Sequence, residues 1–411
     1  MAKLALKDGK PVIRSEKFRR WPVCDEKDQK ALMNVLKSRK WCRVFKSSRS
    51  ERFEKEFAKY HDGRFAIAVA NGTVSLQLAM RSLGVKAGDE VILPAVTFIA
   101  TASSISELGA IPIFADINIE TGCIDIDSIK EKITTRTKGI IGVHYGGYPI
   151  DFDIILPFCK KRRLFLIEDA AHAHGTEWKG RKIGAIGDMG SFSFQETKSL
   201  ASGEGGMVLT DKKDLYEKAK LIHNIGRVMG RPGYTHYILS SNYRISEFQS
   251  ALLSVQLKRL GSQTDIKHKN GMFLKHELAK LGLIPLKEDK RITKRGYYFL
   301  VLRYKKKSFA NVSRDKFIEA VNAEGISAHK AYGFPLYSNP AFTRKALVEV
   351  YNRETMKKIP DYRRLRLPSS EQFCDEQIVI PHQLLLSDRK NLQAIIYAFS
   401  KVKENLDELK D

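Results

Sequence analysis

Between about residues 60 and 255 the chain alternates short apolar runs with longer stretches of helical period. The runs are RFAIAVA (64–70), EVILPA (90–95), IPIFADI (111–117), KGIIGVHY (138–145), RLFLIEDA (163–170), MGSFSF (189–194) and GGMVLT (205–210). Each has strand length and lacks a regular polar alternation, as expected of a strand buried on both faces. Between them lie VSLQLAMRSLG (74–84), TFIATASSISELG (97–109), IDFDIILPFCKKR (150–162) and KKDLYEKAKLIHNIG (212–226), each with the spacing of a helix. A strand with no solvated face needs cover on both sides. The alternation therefore predicts an α/β fold: a mostly parallel sheet of seven strands covered by helices.

The flanks differ. Residues 1–45 read as a polar, basic arm with one helix, DEKDQKALMNVLKS (25–38). Residues 46–255 form the large α/β domain. From 256 the texture changes. A long helix, ISEFQSALLSVQLKRL (245–260), leads into a smaller α+β domain over 256–411, with a strand in YYFLVLRY and helices in SRDKFIEAVNAEG and DRKNLQAIIYAFSKVKENL.

In open parallel sheets, ligands bind beyond the carboxyl ends of the strands. The residues to inspect are therefore Asn71-Gly72-Thr73, Thr97-Phe98, His144-Tyr145-Gly146, Asp169 to His174, and Gln195 to Lys198. NGT at a strand-to-helix turn offers free backbone N–H groups and a hydroxyl, an anion cradle, although turns also use these residues for capping alone. Asp169 follows a buried strand and needs a cationic or donating partner. The spacing of Asp169, His172 and His174 raises the question of a metal, but no well-formed ligand set accompanies it and none is assigned. Lys198 stands among small and hydroxyl residues and precedes GEGG. Burial there would lower its pKa and free the amine to attack carbonyls, whereas alone it reads equally as a loop lysine. Taken together, an anion cradle, an aromatic, a shielded carboxylate and a lysine are the parts that hold pyridoxal phosphate.

Composition narrows the alternatives. The 411 residues contain no apolar stretch long enough for a membrane span, and the N-terminus lacks the apolar core of a secretory signal. Five scattered cysteines (24, 42, 123, 159 and 374) without a CxxC pair fit a reducing, cytoplasmic setting. The formal charge of +24 is partly clustered, in KEDKRITKR, RYKKK and RRLR. These runs lack interleaved aromatics or a helix-turn-helix spacing, so nucleic acid is not the expected partner. A solvated basic face, or a surface attracting anionic substrates, accounts for them.

The motifs ANGTVSLQLAM, GDEVILPAVTFIATA, VHYGGYPIDFD, IEDAAHAHGTEWKGRKIGAIGD, SFSFQETKSLASGEGGMVLTD, SNYRISEFQSALL and IVIPHQLLL, in that order, resemble the DegT/DnrJ/EryC1/StrS family of sugar aminotransferases. The resemblance spans residues 13 to 395 and implies a fold-type-I pyridoxal-phosphate enzyme. It implies that Lys198 forms the Schiff base and shuttles the proton, and that Asp169 pairs with the pyridine nitrogen. It further implies that His172 contacts the phenolic oxygen and Phe98 stacks on the ring. Gly72, Thr73 and Ser193 would hold the phosphate. Asn242 would reach the cofactor of a neighbouring subunit, which implies a homodimer with shared active sites. Ser199 departs from the Asn often found after the lysine.

The resemblance also frames the reaction: transamination from glutamate or glutamine to a keto-sugar. The basic surplus places a nucleotide-linked keto-sugar ahead of a keto-cyclitol as acceptor. His329, Tyr332, Tyr337 and His382 are candidate acceptor contacts, with packing between the domains as the other reading of each. A basic, non-catalytic binding protein that keeps the fold is the rival from another class. The intact Asp169 and Lys198 argue against it.

Overall fold

The computed structural model describes residues 3–44, 47–229, 231 and 234–410. The expected boundary at 45/46 lies outside the described residues. Seven strands form where the apolar runs place them: β1 (Phe65–Val69), β2 (Glu90–Pro94), β3 (Ile111–Ala115), β4 (Thr137–Val143), β5 (Phe165–Asp169), β6 (Met189–Ser193) and β7 (Gly206–Thr210). They make one sheet in the order β1-β7-β6-β5-β4-β2-β3. The pairs β2–β3, β2–β4, β4–β5 and β5–β6 are parallel. Only β7 runs against its neighbours, β1 and β6. The segment carrying Lys198 is the connection from β6 to this reversed strand. It therefore stays at the carboxyl end of the sheet.

Local signals set the helix starts. Asn71 caps the helix Gly72–Ser82 by accepting the Val74 N–H at 3.0 Å. Asp151 caps Phe152–Arg162, and Ser246 with Gln249 forms a capping box on Glu247–Lys280. The segment after β2 forms a shorter helix than expected, Ala100–Ser106, without a side-chain cap. Its serines and β-branched residues are weak helix formers. Residues 95–99 are left as a loop at the sheet edge.

The helix Glu247–Lys280 runs for 34 residues through the expected boundary at 255/256. Leu253, Leu257 and Leu260 pack into the core of the large sheet. Leu274 and Leu278 pack into a second core under the antiparallel sheet β8 (Ile284–Pro285), β9 (Phe299–Arg303) and β10 (Gln377–Pro381). Sequence order does not divide these cores. Leu4 and Phe18 from the N-terminal arm lie in the second core, while Tyr351, Tyr362 and Phe373 lie in the first. Tyr351 and Tyr362 donate to the carbonyls of Ala110 (2.8 Å) and Pro112 (2.7 Å), which ties the 340–370 segment to β3. Among the described residues no helix is long and apolar enough to cross a membrane.

Candidate active site

The carboxyl ends of β1, β2, β4, β5 and β6 open on a cavity of about 980 Å³, closed on its other side by the β9–β10 sheet and the N-terminal arm. Gly72, Thr73, Phe98, Asp169, His172, Ser193, Lys198, His329, Tyr332 and His382, all singled out in the sequence, line it. Two do not. Tyr337 is buried in the core against Phe114, and its hydroxyl donates to Glu371 at 2.6 Å. It is a packing residue and not part of an acceptor pocket, because the 332–342 segment turns away from the cavity after Tyr332. Asn242 is exposed, and its Oδ1 accepts the Arg244 N–H at 3.2 Å. His144, Tyr145 and Gly146 also fall behind the cavity wall. His144 Nε2 lies 3.2 Å from Glu168, and Tyr145 donates to Gln377.

Lys198 is half-buried, with its Nζ 4.3 Å from the centroid of the Tyr298 ring. Its backbone N–H donates to Gln195 O at 2.8 Å, which folds the turn that carries it. Thr197 reaches across to Tyr298, hydroxyl to hydroxyl at 2.8 Å. His382 Nε2 donates to Thr197 O at 2.9 Å, and Trp21 Nε1 donates to Glu196 O at 2.9 Å. Burial depresses the Lys198 amine to about 8, with the Asp169 charge opposing the shift. An ammonium removed from water loses hydration that one distant carboxylate only partly restores.

Asp169 ends β5 and is buried. Its Oδ2 accepts the Thr101 hydroxyl at 2.9 Å, and Oδ1 accepts the Ala171 N–H at 3.3 Å. Burial raises its pKa, against these two donors and the charge of Lys198. It makes no ion pair among the described residues, so it can still take a cationic donor. His172 stacks on Tyr298, with centroids 4.2 Å apart and planes at 20°. Burial, reinforced by the charge on Lys198, holds its imidazole well below the ordinary pKa and therefore neutral. His174 faces another way, onto Phe192 and Phe194, so the two histidines do not converge on one point.

At the opposite wall the helix Gly72–Ser82 begins against Ser193. A Cβ on Gly72 would lie 2.7 Å from Ser193 Cβ, so this approach requires glycine. First-turn N–H groups have no partner within a helix, and the helix dipole favours an anion there.

Sequence reasoning missed Thr101, Tyr298 and Trp21. Thr101 lies one turn past Thr97 in the segment already under inspection and could have been found by helical spacing. Tyr298 and Trp21 arrive from distant segments, and no local signal marks them.

Pyridoxal phosphate fits what is present. Asp169 offers a carboxyl with no cation of its own. His172 Nδ1 is buried without a hydrogen-bond partner. Phe98 is 58% exposed on the cavity wall, an apolar face for a flat ring to cover. Lys198 would supply the amine, and Gly72, Thr73 and Ser193 would supply the anion seat.

Comparison with known proteins agrees with this geometry. The DegT/DnrJ/EryC1/StrS aminotransferase family model matches residues 22–396. An L-glutamine:2-deoxy-scyllo-inosose aminotransferase of Streptoalloteichus tenebrarius is 34% identical over 422 residues, covering 99% of each chain. The structure of an aminotransferase from Psychrobacter cryohalolentis superimposes with a TM-score of 0.85 at 31% identity, over 95% of this chain and all of that one. That of 3-amino-5-hydroxybenzoic acid synthase gives 0.82 at 30% identity, over 95% and 98%. The chain belongs to the DegT/DnrJ/EryC1/StrS family of pyridoxal-phosphate-dependent aminotransferases.

Proposed function

We propose that this aminotransferase moves an amino group from glutamine to a keto-cyclitol. One observation carries the acceptor class. Among the described residues lining the cavity, Lys198 is the only lysine or arginine, and Glu196 and Glu204 are exposed there. A nucleotide diphosphate needs cations along its path. A neutral polyol needs hydroxyl, amide and imidazole groups, which Ser327, His329, Tyr332 and Gln383 provide. The order expected from the net charge is therefore reversed, with the cyclitol placed ahead of the nucleotide-linked sugar. The L-glutamine:2-deoxy-scyllo-inosose aminotransferases among the relatives support the same choice and favour glutamine as the donor.

Bound in the cavity, the cofactor would supply a carbonyl that receives the amino group and a ring that accepts electrons. The protein's side chains do the rest. At a pKa of about 8, roughly a tenth of the Lys198 amine is neutral at pH 7, enough to act as nucleophile and then as base for the substrate proton. Asp169, oriented by Thr101, would face the ring nitrogen and hold a proton on it. Neutral His172 would donate to the ring oxygen from an edge fixed by stacking on Tyr298. The helix start at Gly72–Thr73, with Ser193, would hold the phosphate.

We also propose that two copies share their active sites. Asn242 is exposed, and the loop before it presents Tyr234 (89% exposed) and Leu239 (95% exposed), apolar surface suited to a second subunit.

The test is direct. The purified protein should be yellow, bleach with glutamine faster than with glutamate, and regain colour with a keto-cyclitol. Lys198→Ala should lose both colour change and turnover. Recovery with a nucleotide-linked keto-sugar but not with any keto-cyclitol would overturn the acceptor assignment.

A further inference from the structure

Three lysines are buried among the described residues: Lys267, Lys275 and Lys401. Lys275 faces Glu288 and Lys401 faces Glu324. Lys267 is 1% exposed and faces no carboxylate among the described residues. An unpaired ammonium in the interior is costly, and an apolar side chain of the same shape would suit the fold better. Its contacts indicate why it is there. Nζ donates to Ser199 Oγ at 2.8 Å and to Tyr297 O at 3.3 Å. Ser199 directly follows Lys198, and Tyr297 directly precedes Tyr298, the ring beneath the Lys198 amine.

Tyr297 needs restraint. Its φ of 41° lies in the left-handed region, where a bulky side chain is rarely found. The helix that carries Lys267 grips it twice. One turn on, the bare Gly271 receives the Tyr297 ring, which would lie 2.7 Å from any Cβ there. The Arg295 guanidinium covers the same ring at 4.2 Å. The titratable groups around Lys267 from other elements, His174 and His382, are both driven neutral by burial, so neither adds a like charge and no carboxylate faces the amine. Burial alone brings the Lys267 amine down to about 7.

We propose that Lys267 is a positioning residue for Lys198: its amino group, donating to both, ties Ser199 to Tyr297 and so fixes, from behind, both walls of the seat in which the Lys198 amine lies. This inference rests on the reading above only in taking Lys198 as the functional amine. The serine at 199 fits the geometry, because its short hydroxyl side chain leaves room for the amino group.

The test uses Lys267→Met, Ser199→Ala and the double variant. In cofactor-free protein, reductive methylation of Lys198 by formaldehyde, followed by peptide mass spectrometry, should titrate near pH 8 in the wild type. Each single variant should raise that midpoint by about one unit as the amine relaxes toward water. With cofactor, kcat should fall about tenfold or more while KM for glutamine changes less than about threefold. The double variant should be no worse than the worse single, since both cut one link. The melting temperature of Lys267→Met should equal or exceed that of the wild type. Wild-type midpoint and kcat in the single variants would overturn the proposal, as would a double variant showing the product of the two losses. If Lys267→Met does not fold, Ser199→Ala decides alone, and an unchanged midpoint there overturns the proposal. Should the acceptor assignment fail instead, the methylation midpoint still reads out, because it needs neither cofactor nor substrate.

Discussion

Replacing Lys198 by methionine should stabilise the cofactor-free protein while destroying its chemistry. The amine is moved from its ordinary 10.5 to about 8, chiefly by burial. At about 1.36 kcal/mol per unit, holding it charged in the fold costs about 3 kcal/mol. Methionine fills a similar volume against the Tyr298 ring and carries no charge. The pull of the Asp169 charge is already contained in that shift, so the exchange should gain about 3 kcal/mol. A gain of that size raises the melting temperature by a few degrees.

The gain should depend on pH with a fixed sign. Below pH 8 the amine is protonated in both folded and unfolded states, and the wild type carries the full penalty. Between about 8 and 10.5 the unfolded chain holds a proton that the folded chain has released, so wild-type stability rises with pH relative to the variant. The advantage of Lys198→Met should therefore be largest near pH 7 and cut to about a quarter at pH 10. Thermal denaturation of both cofactor-free proteins at the two pH values measures it. A variant no more stable than the wild type at pH 7 would refute the claim that burial sets this amine's basicity. So would a gain that is the same at pH 10.

Two further changes test the rest of the site. Gly72→Ala places a Cβ 2.7 Å from Ser193 Cβ and 3.1 Å from its Oγ, which forces the helix start away from β6. The dissociation constant for pyridoxal phosphate, by equilibrium dialysis, should rise about tenfold (about 1.4 kcal/mol), and an unchanged constant would show that this helix start is not the anion seat. Thr101→Val removes the donor 2.9 Å from Asp169, so its carboxyl should titrate higher still. The acid limb of the kcat/KM profile should move to higher pH, because the lost donor had favoured the charged carboxylate. A limb that stays in place would separate Asp169 from the acid side of the profile.

The parts of the site legible in the sequence share one property: each follows directly from a strand. A strand buried on both faces cannot hide its apolar run, and its carboxyl end marks where ligand-facing residues begin. Gly72, Thr73, Asp169 and Lys198 were reached that way, whereas Ser193 came from the resemblance alone. The contributions of Trp21, Tyr298 and Lys267 were not, because nothing local marks them. Lys267 sits in a helix rich in lysines, and only the tertiary fold turns its face inward. Tyr337 erred in the other direction, since an aromatic in a Gly-Pro-rich segment reads alike whether it lines a cavity or fills a core. The charge of +24 was no guide to the cavity for a related reason. Net charge carries no address, and the cavity lining holds one lysine of the 71 lysines and arginines.

Away from the cavity, several buried charges are paired. Arg43 meets Glu54 and Lys401 meets Glu324. Glu168 accepts three backbone N–H groups, from Gly184, Ile186 and Gly187, and lies against His144. Directly beside it in β5, Asp169 has no basic partner, and beyond it Lys198 and Lys267 have no carboxylate within ion-pair distance among the described residues. A fold that satisfies Glu168 so fully has the means to satisfy its neighbour. Leaving Asp169 open keeps a carboxyl free for a cationic ring nitrogen. Leaving Lys198 open keeps an amine whose proton is easily lost. Asp169 and Lys198 in the cavity wall, with Lys267 behind it, lie unpaired and lower the stability of the empty protein. A bound ligand carrying the missing charges would restore it, so the cofactor should raise the melting temperature by more in the wild type than in Lys198→Met.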